Sequence, residues 1–136
     1  NDASVKFNEL VKKENEENKE MLEAMKSALS DDVQVVRFTN RLKNHPVCLT
    51  SEGGISLEME KVINSMPTDQ NVKAQKVLEI NEDHPITQKL KKIYAEDKEL
   101  LKEYTKILYS QARLIEGMTI DNPTEISNII CDLLSK

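Results

Sequence analysis

The chain has 136 residues, 38% of them apolar and 32% charged, which suits one soluble domain with a modest core. Its 19 basic and 24 acidic side chains leave a net charge of −5, so no nucleic-acid partner is expected, because a basic stripe supplies most of that affinity. No apolar run approaches the roughly 20 residues of a membrane-spanning helix and no signal peptide opens the chain, so no membrane partner is expected either.

The first residue is Asn1 rather than Met, which suggests a piece of a longer protein. Cys48 and Cys131 lie far apart and read as reduced thiols, making a cytoplasmic setting the default.

Val5, Phe7, Leu10 and Val11 open the first segment, and a polar run from Lys12 to Glu20 follows as a solvated face or loop. Met21, Leu22, Met25, Ala28 and Leu29 then recur at spacings of three and four, predicting an amphipathic helix. Val33, Val35, Val36 and Phe38 favour a strand, and Asn40 to Pro46 supplies a turn into a second one. Gly53-Gly54 breaks the chain, after which Ser56 can cap a helix over "LEMEKVINSM" that Pro67 ends. "TDQNVKAQK" reads as a polar connection. "VLEIN" is a third strand, with Leu78 and Ile80 on one face and Val77 on the other.

From Asp83 onward the pattern is helical. Asp83 or His84 can cap a helix with Pro85 in its first turn. A second helix, "KELLKEYTKILYSQARLIE", stops at Gly117, and Asn122-Pro123-Thr124-Glu125 starts the last one in capping-box style. The expected class is α+β: a small three-stranded sheet, flanking helices and a C-terminal helical hairpin. Residues 1–30 form the leading helical segment, 31–98 the mixed part and 99–136 the final helices.

That hairpin is rich in apolar side chains. Leu101, Tyr104, Leu108, Ala112 and Ile115 form one stripe, widened by Leu100, Ile107 and Leu114; Ile126, Ile129, Ile130, Leu133 and Leu134 form another. Either the sheet and first helix cover both stripes, or a second copy does. Two hairpins about a twofold axis would make an intermolecular four-helix bundle. Shielding of Leu108, Ile129 and Leu133 within one protomer would count against the dimer.

Ile55, Met59, Val62 and Ile63, extended by Met66, share one face of the helix after Gly53-Gly54. It is either core or, if left open, an adaptable surface for apolar partners, for which methionine is well suited. No phosphate loop, paired zinc-ligand spacing or nucleophile elbow is present. His45 and His84 both precede prolines at element boundaries, where a turn or cap role is the plainer account. Cys131, among apolar neighbours, is expected to be packed.

"FTNRLKNHPVCLTS", "ISLEMEKVI", "LEINEDHPITQKL" and "QARLIEGMTIDNPTEISNIICDLL", in that order, resemble the C-terminal dimerisation domain of the heat-shock protein 90 family, closest to its bacterial form. Arg41-Leu42, Pro46, Met59, Leu78 to Asn81, His84, Glu116-Gly117 and Pro123 carry the likeness, best from Val33 to Leu134. The resemblance implies a piece of an ATP-driven homodimeric chaperone whose last two helices form the dimer bundle. It also implies that Ile55, Met59, Val62 and Ile63 contact unfolded client proteins. The family's ATP and Mg site belongs to other domains, so this stretch is expected to hold no cofactor or metal and to catalyse nothing. The chain ends in Leu-Leu-Ser-Lys rather than Met-Glu-Glu-Val-Asp, so no tetratricopeptide co-chaperone is expected. The alternative is a small hydrolytic or nucleotide-dependent enzyme with a polar pocket near His45 or His84.

Overall fold

Three short strands, rich in β-branched side chains, organise the molecule. In the computed structural model, which describes residues 2–41, 44–67 and 72–136 with side chains from residue 9 onward, these are β1 (Val35–Thr39), β2 (Val47–Glu52) and β3 (Gln75–Asn81). The strand order is β1-β3-β2: β3 runs parallel to β1 and antiparallel to β2. β1 and β2, consecutive in the chain, therefore do not pair; β3 inserts between them. Leu42 of the resemblance motif and residues 68–71 of the polar connection lie outside the described residues, as do the side chains of Val5 and Phe7.

Alternation along the strands sets two faces. Val36, Phe38, Val47, Leu49, Leu78 and Ile80 join the core. On the opposite face Arg37, Glu79 and Cys48 stand side by side across the three strands. The central position of β3 buries Val77 as completely as Leu78, so both of its faces are covered.

The leading segment is two helices rather than one preceded by a loop: α1 (Asp2–Glu17) and α2 (Lys19–Leu29), separated at Asn18. Most of the polar run is thus helical and solvent-facing. Lys91 reaches Glu14 at 2.7 Å and ties α1 to α4 (Pro85–Glu96). The Asn15 amide meets the backbone of Phe38 on the outer edge of β1. Its Oδ1 accepts from the Phe38 N–H at 2.8 Å and its Nδ2 donates to the Phe38 carbonyl at 3.5 Å. Met21, Leu22, Met25 and Leu29 of α2 are buried in the core, as the periodicity predicts.

The remaining helices start and stop on local chemistry. Ser56 Oγ accepts from the Met59 N–H at the head of α3 (Leu57–Asn64). His84 Nδ1 accepts from the Ile86 N–H at the head of α4, where Pro85 costs no hydrogen bond. Asp97 Oδ1 caps α5 (Lys98–Ile115) through the Leu100 N–H. Gly117, at φ 76°, closes α5: its N–H bonds the Leu114 carbonyl and that of Met118 bonds the Arg113 carbonyl, the paired pattern of a Schellman stop. Asn122 precedes α6 (Pro123–Leu134) but makes no side-chain cap bond; Glu125 instead pairs with Lys106 of α5 at 2.7 Å.

Candidate interaction surfaces

The helix after the two glycines docks by the face opposite its apolar one. Leu57 and Glu60 are buried, while Met59, Val62 and Met66 are 46%, 53% and 53% exposed. Ile63 is half-buried, and Ile55 packs against the core. The apolar face is therefore neither core nor fully detached: Ile55 anchors one end and the methionines point outward.

What holds α3 down is ionic. Glu60 Oε1 accepts from Lys76 Nζ at 2.6 Å and from the Ala74 N–H at 2.7 Å. The two side chains are 5% and 3% exposed. Lys76, which the sequence places in a polar connection, is thus a buried residue of β3; a charge can be buried there because its counter-ion is buried with it. On the other flank Lys61 Nζ donates to the Glu116 carbonyl at 2.6 Å.

The two terminal helices divide differently from the stripes. Leu101, Leu108, Ala112 and Ile126, all assigned to the dimer face, are buried within one chain, and Tyr104 is half-buried against the core. The reason is the position of α5, which packs on β2, α2, α4 and α6 at once. Ile129 and Leu133 are half-buried. The apolar side chains left in solvent are Leu114 and Ile115 at the end of α5, with Ile130 and Leu134 of α6, the last 79% exposed. Cys131 is exposed rather than packed, because none of the described residues covers that side of α6.

The turn between these helices is fixed by one buried cation. Arg113 Nε donates to the Thr119 carbonyl at 2.7 Å, and its two other nitrogens reach Tyr109 Oη at 3.2 Å and Asp121 Oδ1 at 3.3 Å. Burial raises the Tyr109 phenol, an effect the Arg113 contact opposes.

On the second face of the sheet, Glu79 is buried between two cations: Arg37 Nε lies at 3.0 Å and Arg41 also reaches it. Cys48 Sγ donates to Glu79 at 3.7 Å. Burial, assisted by that carboxylate, pushes the thiol up to about 11, so it stays protonated.

No group of three or more metal-ligating side chains occurs among the described residues. A cleft of about 650 Å³ between α2 and β1 has neither histidine in its lining; Asn15, Leu22, Lys26 and Val36 are among its walls. His84 spends Nδ1 on its cap, and the His45 carbonyl accepts from Asn81 Nδ2 at 3.2 Å. No described helix is long and apolar enough to cross a membrane.

A small mixed sheet thus carries an outward-facing methionine helix, beside a hairpin whose last turns leave Ile130 and Leu134 exposed. The family model described as Hsp90 protein matches residues 2–136, and the chain belongs to the Hsp90 family of chaperones. Its similarity is to the chaperone protein HtpG: that of Clostridium perfringens (strain 13 / Type A) is 50% identical over 133 residues, 98% of this chain and 21% of that protein. That of Clostridium botulinum (strain Loch Maree / Type A3) is 56% identical over 121 residues, 89% of this chain and 19% of the relative. The chain spans about a fifth of the length of these curated relatives.

Proposed function

We propose that this chain is the homodimerisation and client-binding module of an ATP-dependent chaperone, working in the cytoplasm and catalysing nothing itself. ATP and Mg would be bound elsewhere in the full protein. The observation that carries the dimer is α6. It has 12 residues, of which only Ile126 is buried. A helix that short is marginal in water unless packing supports it. A twin α6, with Leu114 and Ile115 beside it, would cover Ile130 and Leu134 and finish burying Ile129 and Leu133. The self-associating face is accordingly the outer one; Leu101, Leu108 and Ala112 support it from beneath.

The client reading rests on α3. Met59, Val62 and Met66 form an exposed row of flexible apolar side chains on a helix anchored from behind, and such rows accept irregular partners. Membership of the Hsp90 family favours an unfolded polypeptide as that partner.

Sedimentation equilibrium tests the first half. A dimer at micromolar concentration is expected; one species at 15.5 kDa would overturn it. Binding of a permanently unfolded polypeptide, lost when Met59 and Val62 become serine, tests the second.

A further inference from the structure

The two proposed surfaces are joined by one side chain. Lys61 sits between Glu60, which is buried, and Val62, which faces solvent. Its ammonium lies 2.5 Å from Glu58 and donates at 2.6 Å to the carbonyl of Glu116, the residue that caps α5. Carbonyls at a helix end lack intrahelical partners and carry the negative end of the helix dipole, so a cation there is well placed. The next residue is Gly117, in the left-handed region. Arg113 holds the carbonyl of Thr119 beyond it, and Pro123 opens α6 four residues later. A cleft of about 290 Å³ lies alongside, lined by Lys61, Asn64, Ser65, Arg113 and Met118.

We infer that Lys61 is a positioning residue that couples α3 to the α5–α6 turn, so that load on the outer face of α3 changes how α6 pairs. The open cleft gives the turn of α3 beyond Glu60 room to tilt while the Glu60–Lys76 pair keeps its hold on β3. Tilting draws Lys61 off the Glu116 carbonyl and loosens the turn that aims α6. Coupling of this kind is reciprocal: dimerisation alters the affinity of α3 for its partner by the factor that the partner alters dimerisation. The inference rests on the proposed function for its consequence, but its geometric core does not.

The test has two arms, each run on wild type, Lys61→Met and Lys61→Arg. The first is amide hydrogen exchange at Gly117 and Met118, whose N–H groups close α5. Faster exchange by about fivefold or more in Lys61→Met, reversed in Lys61→Arg, is expected. Unchanged exchange overturns the coupling, whether or not the chain dimerises or binds clients. The second measures the dimer dissociation constant with and without reduced, alkylated lysozyme as the unfolded probe. A shift of about fivefold in wild type and Lys61→Arg, absent in Lys61→Met, is expected. A shift that persists in Lys61→Met overturns it. Failure of wild type to dimerise or to bind the probe would instead be failure of the proposed function.

Discussion

Lys76 Nζ and Glu60 Oε1 meet 2.6 Å apart with both side chains buried, joining the central strand to the helix that carries the exposed methionines. Replacing Lys76 with Met leaves a carboxylate buried without a counter-ion and should cost about 3–5 kcal/mol in urea unfolding. Adding Glu60→Gln removes the orphaned charge while keeping an acceptor for the Ala74 N–H. The double variant should recover most of the loss, and a double variant as unstable as Lys76→Met would show that the pair does not act as a unit.

The terminal helices allow core and interface to be separated. Ile130→Asp with Leu134→Asp places charges where one chain is uncovered, and should yield a monomer that keeps the circular dichroism of the sheet. Leu108→Ala should instead lower protomer stability by about 2–5 kcal/mol, because it hollows the contact of α5 with the rest of the core. An unchanged sedimentation profile for the aspartate pair would remove α6 from the interface.

Met59→Ser with Val62→Ser changes only exposed positions of α3, so stability should move by no more than about 0.5 kcal/mol per site. Capture of an unfolded polypeptide should fall by about tenfold or more, the loss of a few well-placed apolar contacts. Retained capture at unchanged stability would point to another surface.

The two cysteines should react in a fixed order. Iodoacetamide at pH 8 should label exposed Cys131 and leave Cys48 largely unmodified, since its thiol titrates near 11. Above its ordinary value of about 8.5, an unfolded Cys48 releases its proton while the folded one keeps it. Stability should therefore fall as pH rises from that value towards 11. In a Cys48→Ala background this component of the alkaline loss should vanish.

Much of the fold is legible locally. Ser56, His84, Pro85 and Gly117 take the cap, first-turn and stop positions their chemistry predicts, because each depends on bonds within a few residues. Strand order is not legible that way. The short spacing between β1 and β2 suggests neighbours, yet β3 separates them, a pairing that involves residues some forty positions apart in the chain. Lys76 was hidden because its partner is on another element. The clue was on α3, where Leu57, Glu60 and Lys61 stand at helical spacing opposite the methionines, marking a second face. Periodicity likewise finds the stripes of α5 without saying which stripe meets its own chain. Leu108 and Ala112 face inward, Leu114 and Ile115 outward, and only the packing against β2 and α2 decides it.

Asn15 has one more consequence. By bonding both backbone groups of Phe38, its amide occupies a place that a foreign strand would otherwise take on the rim of β1. An open strand rim is a template on which other extended chains can pair. Here a single carboxamide blunts that template at Phe38, so an extended chain drifting past finds one fewer ladder on which to grow.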